Sequence, residues 1–257
     1  MLTHERRKLI LDYISENGSA SVTRLSELLG ASESTIRRDL AGLAELGKLN
    51  KVHGGATLVG QEYMNREDTI NVKVQKNYEE KLAVAEYAAG LINDEDYVFL
   101  DAGSTTFLMT RFIVGSRATF VTNGVAQAHE LARNGCRVMI LGGELKDTTE
   151  AIIGSVAAAN LQRYNFSKAF LGANGIALKQ GYTTTDTAEA MIKAIAIEHS
   201  FVSYVVTDGS KFGRVSAVTV APVDTCCIIC DRCDKDEIKR KTVVKEVSKE
   251  DGLHDNS

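Results

Sequence analysis

The sequence predicts an α/β protein with two domains: a small N-terminal domain of three helices and a hairpin, and a larger domain built on a mostly parallel sheet. Two observations carry this prediction. The first sixty residues hold three helical patterns, each ended by a glycine, and then two short strand patterns about a glycine pair. From residue 97 onward, short apolar runs alternate with amphipathic stretches, which is typical of a parallel sheet covered by helices.

The composition is that of an ordinary globular protein, with 44% hydrophobic and 25% charged residues. No apolar run approaches the length of a membrane span, and the first residues lack a signal-peptide core. We therefore expect a cytoplasmic protein with no membrane partner. The net charge is −4, but residues 1–60 carry eight Lys/Arg against seven Asp/Glu, which leaves −5 for the remainder. A slightly basic module on an acidic body is compatible with local contact to DNA.

The first two helices are predicted over Thr3 to Asn17 and Val22 to Leu29, with Ser21 as the N-cap of the second. The inner face of the first is expected to hold Leu9, Ile10, Tyr13 and Ile14. The inner face of the second is expected to hold Val22, Leu25 and Leu28 or Leu29. Gly18 and Gly30 end these helices.

The third helix is predicted to begin after Ser32, whose hydroxyl can accept a free backbone N–H, and to end near Leu46-Gly47. Ile36, Leu40 and Leu43 recur at helical spacing and form its apolar stripe. Two adjacent arginines, Arg37 and Arg38, fall outside that stripe. Arginines beside short hydroxyl side chains suit phosphate oxygens and guanine edges in a major groove. Alone, such a pair is more often a solvated helix face.

Residues 48–58 are predicted to form two short strands about a glycine turn. Three helices followed by such a hairpin make a winged helix-turn-helix, which implies double-stranded DNA as a partner. The candidate DNA-binding residues are Ser32, Ser34, Thr35, Arg37, Arg38, Lys51 and His53. His53 alone would be read as an exposed turn histidine, but beside Lys51 it is placed to reach backbone phosphates.

The segment Ser-Glu-Ser-Thr-Ile-Arg-Arg-Asp-Leu at 32–40, followed by Lys-Val-His-Gly-Gly-Ala at 51–56, closely resembles the signature of DeoR-type bacterial transcriptional regulators. The resemblance implies a repressor that is not an enzyme and that binds repeated or palindromic half-sites as a homo-oligomer, a dimer or a tetramer. One departure is Asn50-Lys51, where the family usually has arginine. Lysine keeps the charge but lacks the planar fork of a guanidinium.

The domain boundaries follow from composition. We predict a DNA-binding domain over 1–59, a polar linker over 60–74, a sensor and oligomerisation domain over 75–247 and a disordered tail over 248–257. The predicted strands of the large domain are Tyr97–Leu100, Thr119–Thr122, Val138–Leu141, Lys168–Leu171, Tyr204–Thr207, Ala217–Val220 and Cys226–Ile229. The predicted helices are Gln75–Leu91, Thr106–Ile113, Val125–Asn134, Ile152–Leu161, Thr187–Ser200 and Lys235–Val247.

Ligands of parallel sheets gather at the carboxyl ends of the strands, and the loops expected there share one chemistry. The small-residue turn at 101–106 enters a helix, so its N–H groups and hydroxyls favour an anion. With Lys211 as a further cation and carboxylates to accept hydroxyls, these loops predict a sugar-phosphate pocket. The candidate residues are Asp101, Gly103, Ser104, Thr105, Thr106, Thr122, Asn123, Gly142, Gly143, Asn174, Gly175, Thr184, Glu189, Lys193, Asp208 and Lys211. Singly, each has a plainer reading as a glycine turn, a hydroxyl cap or a surface ion pair.

The segments of residues 101–213 also resemble the sensor domain of DeoR-type regulators, which is similar in fold to ribose-5-phosphate isomerase. Gly-Gly-Glu-Leu-Lys-Asp-Thr-Thr-Glu-Ala at 142–151 and Phe-Leu-Gly-Ala-Asn-Gly-Ile at 170–176 look most like the fructose-operon branch. That resemblance implies fructose 1-phosphate as effector and no cofactor. One departure is Asp208-Gly209, where many relatives have serine or histidine.

Two other functions remain open on the residues. In a sugar-phosphate isomerase, Glu189 would act as general base while Lys193 or Lys211 steadied the enediolate. In a metal-dependent redox sensor, the spacing of Cys227, Cys230 and Cys233 would serve zinc or an iron–sulfur cluster. The segment from Cys226 to Cys230 also fits a buried strand, which would point Cys227 and Cys230 to opposite faces, so we expect no metal.

Overall fold

The computed structural model describes residues 1–58, 62–64 and 67–247. The chain divides into two compact units, one comprising Met1–Glu62 and the other beginning at Tyr63. The predicted tail over 248–257 lies outside the described residues.

The first unit has the three predicted helices and the predicted hairpin. A short strand before the second helix, which three residues were too few to signal, joins that hairpin in an antiparallel sheet of order β1-β3-β2. The elements are α1 (Thr3–Asn17), β1 (Ser19–Ser21), α2 (Val22–Leu29), α3 (Glu33–Glu45), β2 (Leu49–Val52) and β3 (Gly55–Leu58).

The core of this unit is formed by one narrow stripe from each helix together with Leu49 and Ala56 of the hairpin. Two predicted core residues are in fact exposed: Leu9 retains 43% and Leu28 47% of its accessible surface. Leu9 precedes the fully buried Ile10 in sequence, so its side chain points about 100° away from that of Ile10 around the helix axis. The core is small enough to cover Ile10 without covering Leu9. The prediction for Leu9 was wrong, and of the alternatives Leu28 and Leu29 it is Leu29 that packs against the core.

The remaining elements form a larger α/β unit. Its helices are α4 (Ile70–Gln75), α5 (Tyr78–Gly90), α6 (Ser104–Met109), α7 (Val125–Arg133), α8 (Gly154–Leu161), α9 (Thr187–Glu198) and α10 (Asp236–Lys239). Its strands are β5 (Tyr97–Leu100), β6 (Thr119–Thr122), β7 (Arg137–Ile140), β8 (Glu144–Lys146), β9 (Ala151–Ile153), β10 (Phe166–Leu171), β11 (Gly175–Ala177), β12 (Gly181–Thr184), β13 (Ser200–Thr207), β14 (Arg214–Ser216), β15 (Val218–Ala221), β16 (Cys227–Cys230) and β17 (Val244–Glu246), after a short β4 (Glu62–Met64).

The central sheet has the order β17-β16-β13-β10-β5-β6-β7, and every pairing among these described strands is parallel. Successive residues of β5 serve opposite faces: Val98 and Leu100 join one hydrophobic cluster, and Phe99 joins the other. Helices cover both faces, because α5 and α6 contribute to the first cluster and α8 and α9 to the second. The predicted mostly parallel α/β architecture is confirmed.

The start of the large unit differs from the prediction. Residues 67–74 were assigned to a linker, yet α4 begins at Ile70, which is buried. The predicted helix over Gln75–Leu91 is interrupted, because Asn77 has a left-handed φ of 51° and α5 starts only at Tyr78. Asparagine tolerates this conformation better than other non-glycine residues, which explains the break.

The predicted C-terminal helix over Lys235–Val247 was also wrong in its second half. Only Asp236–Lys239 is helical, and Val244–Glu246 forms the outer strand beside β16. The run Thr242-Val243-Val244 is β-branched and favours a strand once a sheet edge offers hydrogen bonds. Ile228 donates its backbone N–H to the Val243 carbonyl at 2.8 Å.

Three further elements depart from the prediction. The helix expected over Ile152–Leu161 begins at Gly154, because Ala151–Ile153 pairs with β8 as strand β9. The helix expected over Thr106–Ile113 is α6, which starts two residues earlier and stops at Met109. The strand expected at Ala217–Val220 is present as β15, but it belongs to a separate antiparallel sheet of order β11-β12-β15.

Candidate functional site

The exposed side of α3 is the candidate nucleic-acid interface in the first unit. The Ser32 hydroxyl caps the helix by accepting the backbone N–H of Thr35 at 3.3 Å, and it lies 2.9 Å from the hydroxyls of both Ser34 and Thr35. Ile36 and Leu40 are fully buried on the opposite side. The predicted cap and stripe are therefore confirmed, and they fix which side of α3 faces solvent.

Arg37 and Arg38 are both exposed on that side. Arg37 Nη2 donates to Glu33 Oε2 at 2.8 Å, and Thr23 Oγ1 donates to the other oxygen of Glu33 at 3.0 Å. The hydrogen bond from Arg37 holds the pKa of the Glu33 carboxyl below its usual value. Glu33 thus orients the guanidinium without burying it. Sequence reasoning missed Glu33, although its spacing of four from Arg37 was a usable signal.

Asp39 is a buried carboxylate inside the first unit that sequence reasoning also missed. It accepts hydrogen bonds from Arg6 Nε at 2.6 Å and Arg7 Nε at 3.1 Å, and so fastens α3 to α1. The signal was available, because Asp39 falls between Ile36 and Leu43 on the apolar stripe. A charged residue on such a stripe requires a buried partner.

The hairpin carries the other two predicted DNA-binding residues. Lys51 lies on β2 and His53 in the turn, and both side chains are exposed. Gly54 has a φ of 80°, and a Cβ on Gly55 would come within 2.2 Å of the Ala20 carbonyl oxygen, so the turn needs both glycines. The structure therefore places the predicted residues on exposed surfaces of α3 and of the hairpin.

The second candidate site lies where the four central strands of the large sheet end. Asp101 follows β5, Asn123 follows β6 and Asp208 follows β13, while Gly172 follows β10. Asn123 Oδ1 accepts the Ala102 N–H at 3.0 Å, and Asp101 Oδ2 accepts the Gly172 N–H at 2.9 Å. These contacts link three adjacent loops into one rigid floor.

A pocket opens above this floor in two connected parts, an inner pocket of about 50 Å³ and an outer pocket of about 370 Å³. The predicted residues that line the inner pocket are Asp101, Gly103, Ser104, Thr105, Asn123, Asn174, Glu189, Lys193, Asp208 and Lys211. The structure thus brings together residues from loops that are far apart in sequence.

Three predicted threonines are not among the described lining residues, and each hydrogen-bonds to a neighbouring group instead. Thr106 Oγ1 accepts the Gly103 N–H at 2.9 Å and lies 2.6 Å from the Asp101 carbonyl, which shapes the turn before α6. Thr122 Oγ1 donates to the Leu100 carbonyl at 2.5 Å. Thr184 Oγ1 donates to Glu189 Oε2 at 3.3 Å. The hydroxyls of Thr106 and Thr184 position lining residues, whereas that of Thr122 bonds to Leu100 outside the described lining, so the prediction of these three as direct ligands is not supported by their placement.

The predicted glycines Gly142, Gly143 and Gly175 are likewise absent from the described lining of both parts of the pocket. Gly142 and Gly143 follow β7, which is an edge strand, so their loop lies to the side of the central strands. Gly175 begins β11, where a Cβ would meet the Arg214 carbonyl oxygen at 2.4 Å. Gly143 and Gly175 allow close approach of backbone, since a Cβ on Gly143 would meet the Ile153 carbonyl oxygen at 2.7 Å.

Two buried ion pairs hold the walls of the inner pocket. Lys193 of α9 pairs with Asp101, and both side chains are buried. Glu189 lies one turn earlier on the same helix; its Oε1 accepts from Lys146 Nζ at 3.0 Å and Thr149 Oγ1 at 2.7 Å. Because Thr184 donates to the other oxygen, both oxygens of the Glu189 carboxylate accept hydrogen bonds. A carboxylate held by three donors is poorly suited to abstract a proton from carbon.

Sequence reasoning missed several charged residues of the site. Glu67, Lys73 and Lys81 line the pocket from the segment before and within α5, and Lys146 bridges Glu67 and Glu189 from β8. Burial alone would lower the pKa of Lys146, but hydrogen bonding to Glu67 and the charge of Glu189 outweigh it and raise the pKa. Lys146 carried no local signal, since its partners Glu67 and Glu189 are 79 and 43 residues away.

The outer pocket is rich in cations. Burial, together with the neighbouring charges of Lys211, Lys73 and Lys76, lowers the pKa of Lys81 to about 8 despite the attraction of Asp208. Burial and nearby Arg214 also lower the pKa of Lys211, against the pull of Asp208. Burial is the larger cause of both lowered pKa values and repulsion among the cations the smaller, and an anion bound beside these ammonium groups would offset both.

Of the cysteines of the candidate metal site, Cys230 and Cys233 lie within a hydrophobic cluster of the large unit, and Cys227 is partly exposed. Cys227–Cys230 forms strand β16, close to the prediction, and Cys226, Cys230 and Cys233 are buried. Burial raises the pKa of Cys226 to about 11 and also raises that of Cys230 and Cys233. Among the described residues, no group of three or more histidine, cysteine or acidic side chains is arranged to hold a metal ion.

Within the same part of the chain, no helix is long and apolar enough to cross a membrane.

The large unit has distant structural counterparts. Ribose 5-phosphate isomerase A from Methanocaldococcus jannaschii aligns with a TM-score of 0.41 at 18% identity, over 53% of this chain and 55% of that one. Nothing about activity follows from a match at this distance.

The proteins that match in sequence are much more similar to this chain. The DeoR-like helix-turn-helix domain matches residues 6–62, and the DeoR C terminal sensor domain matches residues 76–232. The HTH-type transcriptional regulator FruR of Bacillus subtilis, which is described as uncharacterized, is 40% identical over 96% of this chain and 99% of its own length. The lactose phosphotransferase system repressor of Staphylococcus epidermidis is 34% identical over 83% and 86%. GlpR of Haloferax volcanii is 36% identical over 87% and 88%. With both of its units matched and relatives of this similarity along most of its length, the chain belongs to the DeoR family of transcriptional regulators.

Proposed function

We propose that this protein represses a sugar-utilisation operon and leaves its operator when a phosphorylated sugar, most specifically fructose 1-phosphate, binds the pocket of the large unit. The observation that carries the proposal is the division of charge along the pocket. Among the described residues, five basic and three acidic side chains line the outer pocket, whereas four of each line the inner pocket. A net positive outer part suits a phosphate, and a neutral polar inner part suits the hydroxyls of a sugar.

One buried acceptor supports a hydroxyl-bearing ligand. Asp208 is 2% exposed, and its Oδ2 has no hydrogen-bond partner in the described part of the chain. Lys81 Nζ is 3.9 Å from that oxygen, beyond hydrogen-bond distance. An unsatisfied buried carboxylate oxygen is costly, so a ligand that donates a hydroxyl there would gain affinity.

The choice of fructose 1-phosphate rests on the segments 142–151 and 170–176. Lys146 and Thr149 of the first hold Glu189, and Asn174 of the second lines the pocket. Both segments that resemble the fructose branch therefore contribute residues that line the pocket or hold a lining residue. The FruR relative adds support through its similarity along nearly the whole chain.

The experiment begins with operator DNA selected from a random duplex pool by the purified protein. Fluorescence anisotropy of the selected duplex then reports its release while fructose 1-phosphate, fructose 6-phosphate, ribose 5-phosphate or unphosphorylated fructose is added. We expect release by fructose 1-phosphate and none by fructose. A ligand at 100 times its dissociation constant also adds about 2.7 kcal/mol to the free energy of unfolding, which a thermal-shift measurement detects. Release by none of the sugars, without any thermal shift, would contradict the proposal.

The same samples address catalysis and assembly. Overnight incubation with each sugar phosphate, followed by chromatography of the products, tests for isomer formation, and we expect none because Glu189 is engaged by three donors. Sedimentation of the protein–operator complex measures its stoichiometry. Symmetric half-sites require two reading helices, so we expect a homo-oligomer, a dimer or a tetramer.

A further inference from the structure

A short segment at the start of the large unit reaches into the pocket described above. Glu67 lies five residues after Glu62, at which the DNA-binding unit ends. Its side chain is only 9% exposed and lines both the inner and the outer pocket. An acidic side chain from the connection between two units thus forms part of the wall of a pocket whose outer part is otherwise lined mainly by cations.

All four acceptor positions of the Glu67 carboxylate are used: two by the lining residues Lys73 and Asn174, and two by Lys146 and Thr185, which are not among the described lining residues. Its Oε1 accepts from Lys73 Nζ at 2.5 Å and from Asn174 Nδ2 at 3.4 Å. Its Oε2 accepts from Lys146 Nζ at 2.7 Å and from Thr185 Oγ1 at 3.0 Å. Two ammonium groups, an amide and a hydroxyl are the donors that a bound phosphate would require.

The backbone after Glu67 is fastened to the same wall. Ile70 donates its N–H to the Thr148 carbonyl at 3.0 Å, and its buried side chain lines the inner pocket. Thr148 belongs to the loop between Lys146, which holds Glu67, and Thr149, which holds Glu189. Docking of the carboxylate and docking of the segment at 67–75 are therefore two parts of one contact.

The electrostatics agree with a tightly held anion. Burial alone would raise the pKa of Glu67, but the charge of Lys73 and hydrogen bonds from Lys146 and Lys73 lower it to about 2. The carboxylate is therefore ionised throughout the physiological pH range and competes as a full charge for these two lysines.

We infer that Glu67 is a built-in anionic plug: the phosphate of the effector displaces its carboxylate from Lys73 and Lys146, and the segment at 67–75 is then released. The inference rests on the proposed function, since it concerns how that effector acts. The segment is continuous with the DNA-binding unit in sequence. Its release therefore couples effector binding in the pocket to the affinity of that unit for operator. The state in which Glu67 is docked on these lysines binds operator. The effector binds better when Glu67 is displaced, and this difference in affinity between the two states is what a switch requires.

The sign of one substitution distinguishes a plug from an ordinary binding residue. Removing a plug frees Lys73 and Lys146, so effector affinity rises and operator affinity falls, because both ligands report the same equilibrium. Removing a residue that accepts a sugar hydroxyl does the opposite, because effector affinity falls. Glu67→Gln retains the size of the side chain and removes its charge.

The experiment uses the full chain with Glu67→Gln and the matched control Glu79→Gln, which removes an exposed carboxylate from α5 outside the pocket. Fluorescence anisotropy measures operator affinity without any effector. Calorimetry measures the affinity for fructose 1-phosphate and for inorganic phosphate. We expect Glu67→Gln to bind operator about ten- to a hundred-fold more weakly and both anions correspondingly more tightly, the range of a charge-assisted hydrogen bond. Glu79→Gln should match the wild type in all three.

A measurement on the unsubstituted protein keeps the test independent of how the variant folds. Hydrogen exchange should accelerate at the amides of 70–75 when fructose 1-phosphate or phosphate binds, because the Ile70 N–H leaves the Thr148 carbonyl. Unchanged operator affinity in Glu67→Gln, weaker anion binding by it, or slower exchange over 70–75 on anion binding would each overturn the plug. Absence of binding by every sugar phosphate would instead overturn the proposed effector, while the operator affinity of Glu67→Gln would still decide whether Glu67 controls DNA binding.

Discussion

Asp39 of α3 and Arg6 of α1, which are 33 positions apart in sequence, form a largely buried ion pair with Arg6 Nε 2.6 Å from Asp39 Oδ2. Because Arg7 reaches the other oxygen, one carboxylate positions the reading helix against α1. Asp39→Asn should destabilise the first unit by about 1.5–3 kcal/mol, the range for hydrogen bonds to charged groups. Hydrogen exchange over 36–43 in the full chain measures this change, and operator affinity should fall with it.

Asp12→Asn is the matched control for Asp39→Asn, because Asp12 is an exposed carboxylate on α1. Equal exchange rates in the two variants would mean that the buried pair contributes nothing beyond a surface charge.

Arg37 and Arg38 are the next test of the DNA interface. If the arginine contacts a base, replacing it by alanine should cost about 1–3 kcal/mol of operator binding free energy. If it contacts a phosphate, the replacement should reduce the slope of log affinity against log salt concentration by about one. Both arginines are exposed, so folding should be unaffected. Anisotropy titrations at several salt concentrations separate the two cases. Arg117→Ala, which removes an arginine 82% exposed on the large unit, is the control. A double variant that binds operator like Arg117→Ala would remove α3 from the interface.

The sequence predicted local features of these sites well. The Ser32 cap, the stripe of Ile36 and Leu40 and the positions of Asp101 and Asn123 depend on a few neighbouring residues or on where a strand ends. Such features are encoded by short-range spacing, which a single sequence contains.

Features that depend on distant partners were not predictable in the same way. Glu67 meets Lys146 across 79 residues, and no local pattern distinguishes it from a linker carboxylate. Gly142 was expected at the pocket because it follows a strand, but that strand is at the edge of the sheet. Strand order is set by packing of the whole unit, so the sequence left the position of this loop open.

Effector affinity should depend on pH through Lys81, whose pKa is lowered to about 8 by burial and by Lys211, Lys73 and Lys76, against Asp208. The ammonium form attracts phosphate, so affinity should fall as pH rises through about 8. On the acid side, a sugar phosphate gains its second charge near pH 6, so affinity should rise from pH 5 to 7. Calorimetry across this range should give a maximum between the two values. Lys81→Met should flatten the alkaline side alone, and an alkaline decline that survives it would exclude Lys81.

The buried thiols should be chemically inert. Burial raises the pKa of Cys226, Cys230 and Cys233, so little thiolate forms at neutral pH. In the native protein at pH 7.5, a thiol reagent should label Cys227 first, because that side chain is partly exposed. Cys230→Ala and Cys233→Ser should retain operator binding and the sugar response. This expectation would be overturned if the unsubstituted protein retained stoichiometric zinc after dialysis and either variant lost that zinc.

Lys211 provides the sharpest test of the effector pocket. It ends the single helical turn at Gly209–Lys211, and it lines both parts of the pocket together with Lys73 and Lys81. Gly103 and Ser104, at the start of α6, line the inner part of the same pocket. If its ammonium contacts the phosphate, Lys211→Ala should lose about 1.5–3 kcal/mol, or roughly ten- to a hundred-fold, of effector affinity. Folding and operator binding should be retained.

Titration of fructose 1-phosphate into the preformed protein–operator complex measures the effect directly. The release curve of Lys211→Ala should shift to higher effector concentrations, and in cells the operon should stay repressed when the sugar is supplied. Lys179→Ala, which removes an exposed lysine outside the described lining of the pocket, should leave the curve unshifted. Because Lys211 and Lys179 carry the same charge, a similar shift in both variants would indicate a general loss of positive charge, and no shift in Lys211→Ala would mean that this lysine does not touch the phosphate.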